Sequence, residues 1–267
     1  MAYEHILYAV DNGIATLTIN RPQVLNALHT GVIEEMIHAV DRARDEGEAR
    51  VLLLTGEGRA FCSGADLSGG GAGTSGSRPS GPPDAGKALE THFNPLLERL
   101  FALPMPFITA VNGAAAGAGC SYALAGDIVV AARSAYFLQA FVNIGLVPDV
   151  GSTWMLPRLA GKARAQAMMM LGDRIPAETA LDWGMIYQVV DDAELMPTAK
   201  AIAARLAAGP TKSLALIRHG IRGCLDASLT EGLMIERRHQ MIAGRTADFG
   251  EGVAAFLQKR KAAFTGK

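Results

Sequence analysis

Residues 107–126 form twenty consecutive positions without a charge. A run of that length spans a bilayer only if it is helical and strongly apolar. Here it contains Asn112, four glycines and many alanines, with few large apolar side chains. The pattern instead predicts a buried strand over 107–111, a turn at Asn112-Gly113, and a small-residue helix inside a soluble core. Such a segment needs protein on every side, which demands a layered fold. A second apolar run, 128–132, predicts another buried strand.

The flanking sequence supplies the layers. Two strand-like runs, 5–10 and 14–19, surround Asp11-Asn12-Gly13 and predict a hairpin. Val32, Ile33, Met36, Ile37, Val40 and Ala43 recur at helical spacing over 30–46, with Thr30 as cap and Gly47 as stop. Val51–Thr55 predicts a buried strand. Further helices are predicted over 88–103, 162–171, 176–183 (Pro176 in the first turn), 194–207, 211–223, 229–243 and 247–261, and a strand at 185–190. Ser68–Gly86, rich in Gly, Ser and Pro, reads as a surface loop, with an active-site lid as the alternative. The expectation is an α/β core over residues 1–200 and a helical region over 201–267.

Bulk properties narrow the function. A net charge of −1 gives no electrostatic footprint for nucleic acid or an anionic membrane. Cys62, Cys120 and Cys224 form no disulfide or metal pattern, so a reducing cytoplasm and no metal are expected. The N-terminus lacks a signal-peptide profile.

Chemistry concentrates in 113–149. Backbone N–H groups of the small-residue turn can approach an anionic ligand. Gly145-Leu-Val-Pro-Asp149 places one carboxylate among apolar residues, where its pKa rises and suits proton transfer. An anion-stabilising turn beside one acid/base points to an enolate. Asp149 as an N-cap of a helix at 152–156 is the competing reading; Asp127, at a strand start, reads as structural. Gly117-Ala-Gly119 lacks the third glycine of a dinucleotide site. Gly119-Cys-Ser121-Tyr-Ala123 misses a nucleophile elbow by its last residue, although Ser121, Asp149 and His219 or His239 have a hydrolase order. The loop around Phe61-Cys-Ser63-Gly-Ala65-Asp66-Leu67 offers a second backbone turn, and two donors from separate loops are what an oxyanion hole requires.

The segments Ile19-Asn-Arg-Pro22, Leu25-Asn-Ala-Leu28, Phe61–Leu67, Ala110-Val-Asn-Gly113, Ala116-Gly-Ala-Gly119, Asp127-Ile and Glu251–Phe256 with Lys259-Arg260 together resemble the enoyl-CoA hydratase/isomerase (crotonase) superfamily over essentially the whole chain. The resemblance implies a crotonase-like spiral of ββα units with a C-terminal helical trimerisation region. It implies an acyl-CoA thioester substrate, no cofactor beyond the coenzyme A carried by that substrate, and a homotrimer or a hexamer built as a dimer of trimers. It also implies that the thioester oxygen sits between the N–H groups of Ala65 and Ala118. Ser63, Asp66, Leu67, Gly117 and Phe141 would line the substrate, and Phe256 and Lys259 would cover the coenzyme.

Family hydratases position water with two glutamates. Here Ser121 and Phe141 stand at the matching positions, and neither replaces a carboxylate base. Asp149 remains, enough to take a proton from one carbon and return it to another. Gly126–Ala135, Gly145–Asp149, Trp154-Met-Leu-Pro-Arg158 and Trp183-Gly-Met-Ile186 resemble the branch that isomerises ring-1,2-epoxyphenylacetyl-CoA and shifts enoyl double bonds. A weak hydratase, a serine-type acyl-CoA hydrolase and a non-catalytic acyl-CoA-binding protein remain the alternatives. Ser121, lacking an adjacent base, is expected to be dispensable for isomerisation.

Overall fold

A computed structural model describes residues 2–67 and 84–267. Of the predicted 68–86 loop, all but the last three residues lie outside the described residues.

Strands β1 (Ile6–Asp11) and β2 (Ile14–Ile19) form the antiparallel hairpin. Its two turn residues, Asn12 and Gly13, both have positive φ (50° and 77°), the geometry that matches strand twist in a two-residue loop. Helix α1 (Thr30–Asp45) follows, burying Val32, Ile33, Met36, Ala39, Val40 and Ala43. Its cap is His29 rather than the expected Thr30: His29 Nδ1 accepts from Gly31 N at 3.1 Å. Burial and the nearby Arg21 hold the imidazole pKa below its usual value, which keeps that lone pair available.

Three similar units come next. Strand β3 (Val51–Gly56) is followed by β4 (Ala60–Cys62) and helix α2 (Asn94–Ala102), the helix entered through a π-helical turn at Leu89–Phe93. Strands β5 (Phe107–Val111) and β6 (Ala114–Ala116) lead to helix α3 (Ala118–Leu124). Strands β7 (Ile128–Ala132) and β8 (Tyr136–Leu138) lead through a 3-10 turn at Ala140–Ile144 to helix α4 (Ser152–Ala160). Helix α5 (Lys162–Leu171), strand β9 (Arg174–Pro176), helix α6 (Ala177–Asp182) and strand β10 (Gln188–Val190) complete the sheets.

The first strand of each repeated unit enters one sheet and the second strand another. The large sheet has order β1-β2-β3-β5-β7-β10 and the small one β4-β6-β8-β9. From β2 to β10 the large sheet is parallel. That explains the unbroken apolar runs, because a parallel strand is covered on both faces. Every residue of β3 and β5 is buried. This is the α/β spiral of ββα units expected from the sequence. The resemblance implied a second strand in each unit, but the sequence did not locate the strands of the small sheet: they are three residues long, too short for a periodic signal. Pro176 ends β9 and precedes α6 instead of lying in its first turn.

Helix α7 (Leu195–Ala207) lays Ala199, Ala203 and Ala207 against the large sheet; residue 200 falls inside it. Helices α8 (Thr211–Cys224), α9 (Leu229–Ala243) and α10 (Ala247–Leu257) follow. The last stops short of residue 261, because Lys259 takes a left-handed φ of 53°. Buried Arg218 ties α8 to the core: its Nε donates to Asp127 at 2.7 Å, and its other nitrogens donate to the Leu100 and Leu103 carbonyls. Asp127 also accepts from Phe107 N at 2.7 Å, so it is structural. Among the described residues, no helix is long and apolar enough to cross a membrane.

Candidate active site

Two backbone turns meet where β4 and β6 end. Gly64 and Gly117 have φ of 97° and 53°, conformations that side chains rarely tolerate. A Cβ on Gly64 would lie 2.9 Å from the Ala116 carbonyl oxygen. At Gly119 a Cβ would meet Cys62 O at 2.4 Å and Cys62 Cβ at 2.7 Å. The glycines therefore let the first turn of α3 press directly on the Cys62–Ala65 backbone.

The chain after β4 is held from elsewhere. A parallel bridge joins Ala65 to Leu28, with Leu28 N donating to Gly64 O and Asp66 N to Leu28 O, both at 2.8 Å. Buried Asn26 spans the same region: its Oδ1 accepts from Arg21 N, and its Nδ2 donates to the Glu57 and Ala60 carbonyls. This pairing leaves the N–H groups of Ala65 and Ala118 with no partner among the described residues. That of Ala118 is free because it opens α3, and first-turn donors have no intrahelical acceptor.

Both N–H-bearing residues line a cavity of about 170 Å³, with Ser63, Leu67, Gly117, Phe141 and Asp149. The structure thus assembles seven of the ten proposed site residues around one space. The sequence missed Leu89 and Phe93 on its wall; they come from the π-helical turn, whose register only the packed structure reveals. Tyr122 fixes that turn, donating its hydroxyl to the Phe93 carbonyl at 2.9 Å.

The other three residues lie apart. Asp66 is buried and pairs with Arg21 Nη1 at 3.1 Å, a partner 45 positions away. Phe256 is 83% exposed on α10 and borders a separate hollow with Phe249 and Phe264. Lys259 follows α10 near the C-terminus.

Asp149 is half-buried, and its Oδ1 is enclosed with no hydrogen-bond partner among the described residues. Desolvation pushes its pKa up to about 7, because the charged form loses water and gains no compensating donor. It does not cap α4. Gly151 occupies the cap position without a side-chain bond, and the Asp149 carbonyl accepts from Ser152 N at 3.0 Å. Val150, the next residue, has φ of 47°, an outlier for a β-branched side chain.

Ser121 is buried and does not border the cavity. Its hydroxyl contacts Ser152 Oγ at 2.6 Å and the Asp149 carbonyl at 3.2 Å. His219 instead contacts the Leu103 carbonyl at 3.2 Å, and His239 stands beside Gly220. Among the described residues, no histidine hydrogen-bonds Ser121, so the hydrolase triad is not assembled. Among the described residues, no group of three or more His, Cys, Asp or Glu is placed to hold a metal ion.

The arrangement supplies two unpartnered N–H donors and one carboxyl poised near neutrality around a small, mostly apolar space. It can stabilise an oxyanion and move a proton beside it.

Known proteins share this architecture. The chain is 48% identical over 265 residues to the 1,2-epoxyphenylacetyl-CoA isomerase of Escherichia coli, covering 99% of both proteins. It is 45% identical over 271 residues, 100% of both, to a Rhodobacter capsulatus protein named "Probable enoyl-CoA hydratase". The crystal structure of an enoyl-CoA hydratase from Bacillus anthracis superposes with a TM-score of 0.91 at 30% identity, over 99% of this chain and 100% of that one. The enoyl-CoA hydratase/isomerase family model matches residues 9–267, and with the spiral fold in place the chain belongs to that family.

Proposed function

We propose that the protein is an acyl-CoA isomerase working through a thioester enolate. Ala65 N and Ala118 N receive the thioester oxygen, and Asp149 carries the proton. With a 3-enoyl-CoA, the Asp149 carboxylate takes a proton from C2 and the electrons move toward the thioester oxygen. The carboxylic acid so formed returns the proton at C4, leaving the double bond at C2. One carboxyl completes this cycle, since what it removes it gives back. Water addition is harder, because it needs groups to orient and deprotonate water, and Ser121 and Phe141 stand where family hydratases use glutamates. A carboxyl half protonated near pH 7 can also offer its proton to an epoxide oxygen. The natural substrate in this reading is 2-(1,2-epoxy-1,2-dihydrophenyl)acetyl-CoA, rearranged to the oxepin, with the enoyl shift as a further activity. The 48% identical relative of that name supports this choice. The assembly in this reading is a trimer or hexamer.

The observation that carries the proposal is a carboxyl that is the only one lining the cavity among the described residues, desolvated to a pKa of about 7 beside two N–H groups with no partner among those residues. The test is product analysis after incubation with the epoxide, a 3-enoyl-CoA and crotonyl-CoA. Ring expansion and bond migration are expected. Faster hydration of crotonyl-CoA than isomerisation of either other substrate, or release of free thiol, would overturn it.

A further inference from the structure

We propose that Ser121, Ser152 and Gln139 are positioning residues whose linked hydrogen bonds end on the Asp149 carbonyl and aim its carboxyl into the cavity. The inference rests on the isomerase reading above and assigns a role to the serine that replaces a hydratase glutamate.

The direction of the chain follows from proton counting. Gln139 Nε2 lies 3.0 Å from Ser152 Oγ, Ser152 Oγ lies 2.6 Å from Ser121 Oγ, and Ser121 Oγ lies 3.2 Å from the Asp149 carbonyl oxygen. That carbonyl only accepts, so the Ser121 proton goes to it. The Ser152 proton must then fill the 2.6 Å contact with Ser121, and Ser152 accepts from the Gln139 amide. Turning the amide over would draw the Ser152 proton to Gln139 and leave two hydroxyl oxygens touching with no proton between them. All three residues are buried, at 0–1% exposure. They come from separate elements: Ser121 from α3, Gln139 from the residue after β8 that opens the 3-10 turn, and Ser152 from the start of α4. Gln139 Oε1 is itself buried without a partner among the described residues, so this orientation is kept at the expense of one amide acceptor.

Asp149 depends on such support. Its Oδ1 has no hydrogen-bond partner among the described residues to fix it, and the next residue is a valine at positive φ. Strained backbone persists only where its surroundings hold it. The carbonyl held by Ser121 belongs to the peptide unit joining Asp149 to Val150. The same carbonyl also accepts from Ser152 N at 3.0 Å, so loss of the Ser121 bond removes one of its two anchors, and in this proposal that loosens the turn enough to shift the carboxyl within the cavity.

The expected result for Ser121→Ala is a kcat for 3-enoyl-CoA isomerisation lowered roughly 10- to 100-fold, the scale of small misplacements of a reacting group, with KM within about twofold. Ser152→Ala should act alike, and the double variant should be no worse than either, since one chain is broken in each. Ser121→Thr keeps the hydroxyl and should recover most of the loss. A folded Ser121→Ala protein with wild-type kcat overturns the proposal, as does a parallel fall in kcat, acyl-CoA affinity and melting temperature. The 13C shift of the Asp149 side-chain carboxyl, compared between wild type and Ser121→Ala at one pH without substrate, is independent of turnover. A wild type that fails to isomerise removes the isomerase reading; an unchanged carboxyl shift removes the positioning role.

Discussion

Asp149 combines burial, a missing partner and a strained neighbour, and each has a measurable consequence. As the proton carrier, it should make Asp149→Asn lose at least about two orders of magnitude in isomerisation, the usual scale of general acid–base catalysis. Acyl-CoA binding should persist; near wild-type turnover would remove the role. Because the base is the ionised form, kcat/KM should rise with pH through about 7. The same shift affects stability. The folded carboxyl keeps its proton up to about pH 7, whereas the unfolded one releases it near pH 4. The native state therefore binds more protons between these values, and stability from this group falls as pH rises through that window. Asp149→Asn should flatten the decline and leave the variant more stable than wild type above pH 7, by about 1–4 kcal/mol. Denaturant melts at pH 5 and pH 8 check this, and an equal effect at both would contradict it.

At the scale of elements, the site depends on how closely α3 approaches β4. Gly119 is the contact point, and a methyl there would sit 2.4 Å from Cys62 O. Backbone in a small sheet cannot yield without moving Ser63–Ala65 as well. Gly119→Ala should therefore cost about 1–3 kcal/mol as overpacking. It should also lower turnover at least about tenfold, because a displaced donor forfeits most of its oxyanion stabilisation. Thermal melting and kcat, measured together, test the coupling; full activity would show that the two turns do not set the oxyanion site. Asn26 has a similar reach, satisfying Arg21 N and the Glu57 and Ala60 carbonyls from one buried amide. Asn26→Ala would strand Arg21 N and the Glu57 carbonyl, each at a cost of about 1–3 kcal/mol in a denaturant melt, whereas the Ala60 carbonyl keeps the Asn112 Nδ2 donor at 3.2 Å.

At the scale of the whole molecule, the C-terminal helices leave a large apolar surface uncovered. Leu229 is 80% exposed, and Leu233, Met234, Phe249 and Leu257 are also exposed. The chain is otherwise well tied to its tail: Arg50 donates to Thr211 Oγ1 and the Phe264 carbonyl, and Asp248 accepts from Thr265 N and Gly266 N. An apolar face on firmly anchored helices calls for a partner surface, and light scattering at micromolar concentration should report a trimer or hexamer. A monomer would end that expectation. Lys259→Glu should weaken binding of full coenzyme A thioesters more than of pantetheine thioesters. Equal losses for both would remove the contact between Lys259 and the nucleotide.

What could be read from the chain alone was whatever neighbouring residues encode. Phe107–Val111 and Ile128–Ala132 appear as strands with the bounds their apolar runs predicted, because a two-faced buried strand needs an unbroken run. The Asn12-Gly13 turn and the periodic face of α1 were legible for the same local reason. The family motifs marked the backbone turns at 61–67 and 113–119 and also Asp149. Packing decided the rest. The three-residue strands Ala60–Cys62, Ala114–Ala116 and Tyr136–Leu138 exist because they pair with one another, not because of any pattern within them. The cap of α1 moved from Thr30 to His29 through side-chain geometry. Whether Asp149 caps a helix or serves catalysis was even for that residue by itself, since both uses want the same residue type, and only the two backbone turns tipped the sequence reading to catalysis; the path of the backbone through Val150 and Gly151 removes the cap. Ser121 looked dispensable because no base adjoins it in sequence. Its partners, Gln139 and Ser152, arrive from other elements, and a hydrogen-bonded chain among them can form only once the spiral has closed around it.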